Sequence, residues 1–151
     1  MNGFGWVVAA FVLAGLIWAK GHLFRVVGNS MSPTLNHGDL LKVRTAVPSQ
    51  LSRGTLVIFV LLGQTQSYLK RIVAVAGDEV LVVGDHVFVT EGPHNRPITP
   101  VDGGCVFRLK SGELYVLGDN RDASKDSRHF GPIRVGDVTH MVDRRLVGPK
   151  T

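Results

Sequence analysis

A single cysteine, Cys105, in a chain of 151 residues excludes an intramolecular disulfide framework and any paired-cysteine zinc knuckle. The six histidines, at positions 22, 37, 86, 94, 129 and 140, include no HxxxH pair, so the sequence offers no ligand set for a structural zinc. Repeats and low-complexity tracts are also missing, and the length suits one domain rather than two. Basic residues outnumber acidic ones by 17 to 12, for a net charge of +5. They are scattered, however, without a helical basic run or an aromatic-interleaved pattern, so nucleic acid is not an expected partner.

Charge is absent altogether from Met1 to Ala19, and this is where the apolar residues concentrate. The mean hydropathy of +0.17 is high for a wholly soluble protein of this size. Gly3 to Ala19 reads GFGWVVAAFVLAGLIWA, seventeen residues that Lys20 terminates. At helical rise they span roughly 26 Å, the lower limit for a membrane helix, with Trp6 and Trp18 near the two interfaces. The expectation is a transmembrane anchor over residues 1–19, followed by a domain over 20–151. A cleaved signal peptide would want a basic start and a better site than Ile17-Trp18-Ala19, and a buried core helix is the remaining alternative.

From residue 20 the pattern changes to short β-branched runs cut by Gly, Asp and Pro, which predicts an all-β domain of short antiparallel strands behind the one N-terminal helix. The predicted strands are Leu23–Val27, Leu40–Arg44, Leu56–Leu61, Tyr68–Val75, Val80–Val83, His86–Val89, Val106–Leu109, Leu114–Leu117 and Val138–Val142. Gly84-Asp85 should turn a hairpin, with Gly84 supplying positive φ. The stretch from Glu91 to Gly104 holds three prolines and three glycines and reads as a surface excursion. Cys105 is expected as a small buried hydrophobe and Met31 as a packing residue.

Three segments carry chemistry. After the first strand, Gly28-Asn29-Ser30-Met31-Ser32-Pro33-Thr34-Leu35 is a hydroxyl-rich turn, readable as plain turn chemistry or as a nucleophile projecting into a groove. A serine needs a base, but no GxSxG elbow or histidine triad context occurs. Lys70 stands in the apolar run Tyr68 to Val75, either as an edge-strand lysine or as a desolvated, neutral amine. The third segment, Gly118-Asp119-Asn120-Arg121-Asp122-Ala123-Ser124-Lys125-Asp126-Ser127-Arg128-His129-Phe130-Gly131-Pro132-Ile133, is denser in polar groups than a connector requires. It can orient a neutral lysine and close an Asp126–Arg128 ion pair, although its composition also fits a solvated turn. A calcium loop would need the twelve-residue ligand spacing ending in Glu, which is missing.

Taken together, GNSMSPTL, GDLLKV, RGTLVIF, YLKRIVAVAGDEV and GDNRDASKDSRHFGPI resemble the bacterial type I signal peptidases, membrane-anchored Ser-Lys endopeptidases that remove signal peptides from exported preproteins. The resemblance covers nearly the whole chain and implies a signal-peptidase-like β-fold. It makes Ser30 the acyl-accepting nucleophile and Lys70 the general base, with Ser124 hydrogen-bonded to the lysine, Asp126 and Arg128 as the structural pair behind it, and Gly118, Asp119 and Asn120 shaping the site. Phe24, Val26, Gly28, Tyr68 and Leu69 would bind the substrate, which adds as a strand between the first and fourth strands and is restricted to Ala or similar residues one and three before the cut. The Ser30 N–H would serve the oxyanion hole; some members add a hydroxyl two residues earlier, where this chain has Gly28. Ala76 stands where the family often has proline, and a large inserted second domain is absent. No cofactor or metal is implied. Signal peptides and membrane lipid are the implied partners, with the export machinery nearby.

The family places its catalytic domain on the extracytoplasmic side of the cell membrane, with a single membrane pass. Lys20 and Arg25, which follow the apolar run while no basic residue precedes it, would by the positive-inside rule point the other way. Within the same chemistry, a dedicated maturation peptidase of the conjugative-transfer type is the alternative, and self-cleaving repressors lack the anchor and carry a DNA-binding domain. Outside enzymes, the alternative is a membrane-tethered β-module that binds peptides without cutting them.

Overall fold

A computed structural model describes residues 22–92 and 102–147. The expected anchor, Met1 to Ala19, lies outside the described residues, as does residue 93–101 of the Pro- and Gly-rich excursion. Among the described residues no helix is long and apolar enough to cross a membrane.

The described chain is mostly antiparallel sheet. In order the strands are β1 (His22–Arg25), β2 (Leu40–Thr45), β3 (Leu56–Val60), β4 (Ser67–Ala74), β5 (Glu79–Val83), β6 (His86–Thr90), β7 (Gly104–Arg108), β8 (Glu113–Leu117), β9 (Ile133–Arg134) and β10 (Val138–Val147). Seven form one sheet in the order β1-β2-β10-β3-β4-β8-β9, and three form a second in the order β6-β5-β7. All nine predicted strands are present, with ends displaced by a residue or two; β10 alone is much longer than Val138–Val142.

The large sheet is buried on both faces around its centre. Along β3, Val57 and Phe59 enter one cluster with Leu51, Tyr68, Ile72, Leu114, Val116, Ile133 and Val138, while Ile58 enters another with Val26, Met31, Leu35, Leu41, Val43 and Leu69. Side chains alternate faces along a strand, so a strand covered on both sides must read as an unbroken apolar run, as LVIFV does. A third cluster of Ala74, Val80, Leu109, Tyr115 and Leu117, with Val82, Val87, Val89 and Phe107 beside it, seats the small sheet against the large one.

In the small sheet β5 and β6 pair with Val83 opposite His86, and Gly84 turns the hairpin at a φ of 57°. Cys105 is exposed rather than buried: it sits near the start of β7, an edge strand that only β5 flanks. Met31 is buried in the second cluster, as expected of a packing residue.

Candidate active site

Ser30 is presented by a turn whose two sides are tied down. Past the end of β1, Val26 N–H donates to Asp39 O and Gly38 N–H donates to Val26 O, both at 2.9 Å, so the chain leaves and re-enters the sheet at one place. Within the turn, Leu35 N–H donates to Met31 O at 2.9 Å, and the Met31 and Leu35 side chains are both core. Gly28 has a φ of +88°, which L side chains rarely adopt, and its N–H donates to His37 Nδ1 at 3.1 Å. The missing hydroxyl at position 28 therefore has a backbone cause, because the turn needs glycine there.

Lys70 lies on β4 opposite Val57 of β3 and is only 4% exposed. Its Nζ donates to Ser30 Oγ at 2.7 Å and to Leu69 O at 3.0 Å, and it forms no ion pair among the described residues. Burial pushes the ammonium pKa below its ordinary value of 10.5, against the weaker opposing pull of the Asp126 and Asp119 carboxylates.

The polar segment after β8 wraps around this pair. Asp126 is fully buried and accepts from Gly118 N–H at 3.0 Å, Arg128 N–H at 3.2 Å and Arg128 Nε at 2.9 Å. Burial opposes its charge, but the Arg128 guanidinium and the backbone N–H of Gly118 hold its carboxyl below the usual range. Arg128 also donates to Arg121 O at 2.6 Å and Ser124 O at 3.2 Å, so one guanidinium clips the loop closed. Asp126 caps the single-turn helix α1 (Ser127–Phe130), and the Ser127 hydroxyl accepts from Val116 N–H of β8 at 3.0 Å.

Ser124 departs from the expected arrangement. Its hydroxyl is buried and makes no hydrogen bond to Lys70; it lies on the Asp126 side and helps hold that carboxylate's charge. It is packed instead over Gly118, where a Cβ would lie 2.1 Å from Ser124 Oγ and 2.6 Å from Ser30 O. Gly118 has no unusual φ, so its requirement is space: any side chain would push apart the turn and the loop. Beside it, Asp119 accepts from Arg71 Nε at 2.9 Å and Arg71 Nη2 at 2.7 Å, and Asn120 reaches across to the serine turn. Arg71 was not singled out by sequence, although a second cation in an apolar strand was the available signal; nothing in the sequence marks His37.

A cavity of about 280 Å³ opens beside Ser30 and Lys70, walled on one side by Phe24 to Val27 and Ser30 and on the other by Gln66 to Lys70. Strands β1 and β4 are first and fifth in the large sheet, so the sheet bends back for them to face each other here. Phe24, Val26, Tyr68 and Leu69 thus line one cavity, and Gly28 lies outside its walls.

Residues 3–146 match the model of the family described as signal peptidase, peptidase S26. A signal peptidase I of Bacillus caldolyticus is 31% identical over 159 residues, covering 93% of this chain and 87% of the relative. A signal peptidase IB of Staphylococcus aureus is 27% identical over 168 residues with the same coverage of 93% and 87%. A solved signal peptidase I of Enterococcus faecalis V583 aligns with 64% of this chain and 96% of its own, at 21% identity and a TM-score of 0.42. The chain belongs to the signal peptidase family, peptidase S26, and its function is that of a signal peptidase I, a serine endopeptidase.

Proposed function

We propose that Ser30 and Lys70 form the catalytic dyad, and the observation that carries this is the 2.7 Å contact between a serine hydroxyl and a buried lysine that has no ion-pair partner among the described residues. With the amine neutral the same contact reverses, and the Ser30 O–H donates to the lone pair on Nζ. Ser30 Oγ then attacks the scissile carbonyl carbon as Nζ takes its proton, and the developing oxyanion is held by the Ser30 N–H. The ammonium returns the proton to the leaving amine, leaving an ester on Ser30. Lys70 next takes a proton from water as its oxygen attacks the ester, then gives that proton to the leaving Ser30 Oγ, releasing the carboxylic acid and restoring the neutral amine. No step needs a metal or cofactor.

The substrates are signal peptides of exported preproteins. Such a peptide lies extended in the cavity between the Phe24 to Val27 and Tyr68 to Lys70 segments, main-chain hydrogen bonds giving affinity. Val26 and Leu69, 3% and 8% exposed, restrict the side chains one and three residues before the cut to alanine or similar size. Asp126 and Arg128 shape the loop behind the dyad, and Ser124 and Gly118 set its approach to Ser30. Residues 1–19 anchor the enzyme in the cell membrane as a single pass, and residues 20–151 form the catalytic domain on the extracytoplasmic side, near lipid and the export machinery. Incubating the detergent-solubilised chain with a preprotein and sequencing the new N-terminus tests this. Cleavage after an Ala-x-Ala pattern that Ser30→Ala abolishes is expected; more than trace activity in Ser30→Ala would contradict the assignment.

A further inference from the structure

Asn120 makes hydrogen bonds to two consecutive carbonyls of the serine turn. Its backbone N–H donates to Ser30 O at 3.0 Å, and its side-chain Nδ2 donates to Asn29 O at 3.1 Å. The side-chain bond bears on the chemistry. A trans peptide is planar, with its C=O and N–H pointing in opposite directions, so a group that holds the Asn29 carbonyl also sets the direction of the Ser30 N–H.

Two neighbouring donors are occupied, Gly28 N–H by His37 Nδ1 and Ser32 N–H by Asn29 O at 3.1 Å. The Ser30 N–H meets no acceptor among the described residues. Position 28 offers no side-chain hydroxyl, so a developing oxyanion depends all the more on that one backbone donor. The 118–120 segment is also placed closely enough to act on it, since a Cβ on Gly118 would lie 2.6 Å from Ser30 O.

We infer that Asn120 is a positioning residue, whose side-chain amide fixes the Asn29–Ser30 peptide plane so that the free Ser30 N–H faces the oxyanion. The hydrogen bond also polarises the peptide, which strengthens its N–H as a donor. The ground-state substrate gains little from this, whereas the tetrahedral intermediates of acylation and deacylation both gain. The inference rests on Ser30 being the nucleophile.

Asn120→Ala removes the amide but keeps the backbone bond to Ser30 O, and Asn120→Asp keeps the shape without the donor. Both are compared with wild type as full chains in detergent, using a peptide substrate, a peptide boronic acid that adds to Ser30 as a tetrahedral adduct, and an uncleavable peptide as ground-state ligand. Loss of a direct oxyanion donor costs about 10² to 10³ in rate, and loss of an orienting bond should cost about tenfold in kcat. For Asn120→Ala, boronate affinity should fall by the same factor, while KM, uncleavable-peptide affinity, the lysine limb of the pH profile and the thermal midpoint stay unchanged. Asn120→Asp should be at least as slow. Unchanged kcat and boronate affinity in Asn120→Ala would overturn the inference, as would a parallel loss of ground-state affinity or thermal midpoint. Failure of the boronate to add to Ser30 in wild type would instead sink the nucleophile assignment, so the two failures are distinguishable.

Discussion

Two buried ionisable groups lie in this fold in opposite circumstances. Asp78, at the entry to β5, is 1% exposed and fully provided for: it accepts from Arg53 Nε at 2.9 Å, from the Arg53 Nη2, from Val75 N–H at 2.8 Å and from Gly92 N–H at 2.9 Å. Although burial opposes its charge, Arg53 and those N–H groups hold its carboxyl below the ordinary value of 3.8. Lys70, 4% exposed, has only a hydroxyl and a carbonyl, and burial drives its pKa down from 10.5. Where compensation is complete the charge is locked in and does structural work; where it is withheld the group is ready to give up its proton.

The largest expected effect comes from removing the poised group. Lys70→Ala and Lys70→Arg should each lower kcat/KM by about 10⁴ or more, on the scale of removing a member of a catalytic constellation. Arginine keeps the charge but stays protonated at any workable pH, so comparable inactivity of the two variants separates a base from a salt-bridge partner. Asp78→Ala should do the converse. It leaves two backbone N–H groups without their acceptor and Arg53 with only Glu91 at 3.4 Å, and should lower folding stability by about 3 kcal/mol in a denaturant titration, with the chemistry of the folded fraction intact. The wild-type contribution of Asp78 is present above pH 3.8 and is lost as pH falls through its depressed folded value. The smallest effect sharpens the contrast most: Lys70→Met, inactive, should be more stable than wild type by on the order of 1 kcal/mol at neutral pH. Between the depressed folded value and 10.5 the native state binds fewer protons at this lysine than the unfolded chain does, so the gain should shrink through that window and vanish as pH approaches 10.5.

Most of the fold was legible in the sequence because strands buried on one or both faces leave an alternating or unbroken apolar record. The exceptions have local causes. Beyond Val142, β10 continues through Asp143, Arg144 and Arg145, and its pairing with β2 shifts between Val142 and Arg144 and again between Arg145 and Val147. Each shift resets which face a side chain takes, so no alternation survives to be read. Strand β9 is only two residues long, directly after Pro132, and α1 is a single turn started by an Asp-x-x-His cap, both too short for periodicity. In the site, the motifs brought attention to Ser30, Lys70, Asp126 and Arg128, and the structure gathers them within one small region. Ser124 differed because it packs over Gly118 and toward Asp126 rather than against Lys70, which no spacing records. Arg71 acts by holding the Asp119 carboxylate and His37 by accepting the Gly28 N–H, partnerships that spacing along the chain does not record.

The central claim, that Lys70 serves Ser30 as a neutral base, is tested most directly by the pH dependence of wild-type kcat/KM for a signal-peptide substrate. The rate should climb with pH along a single limb whose midpoint lies well below the lysine's ordinary 10.5, as burial requires. A profile that stays flat from neutral pH down to about pH 5, where even a strongly depressed lysine is mostly protonated, would contradict it.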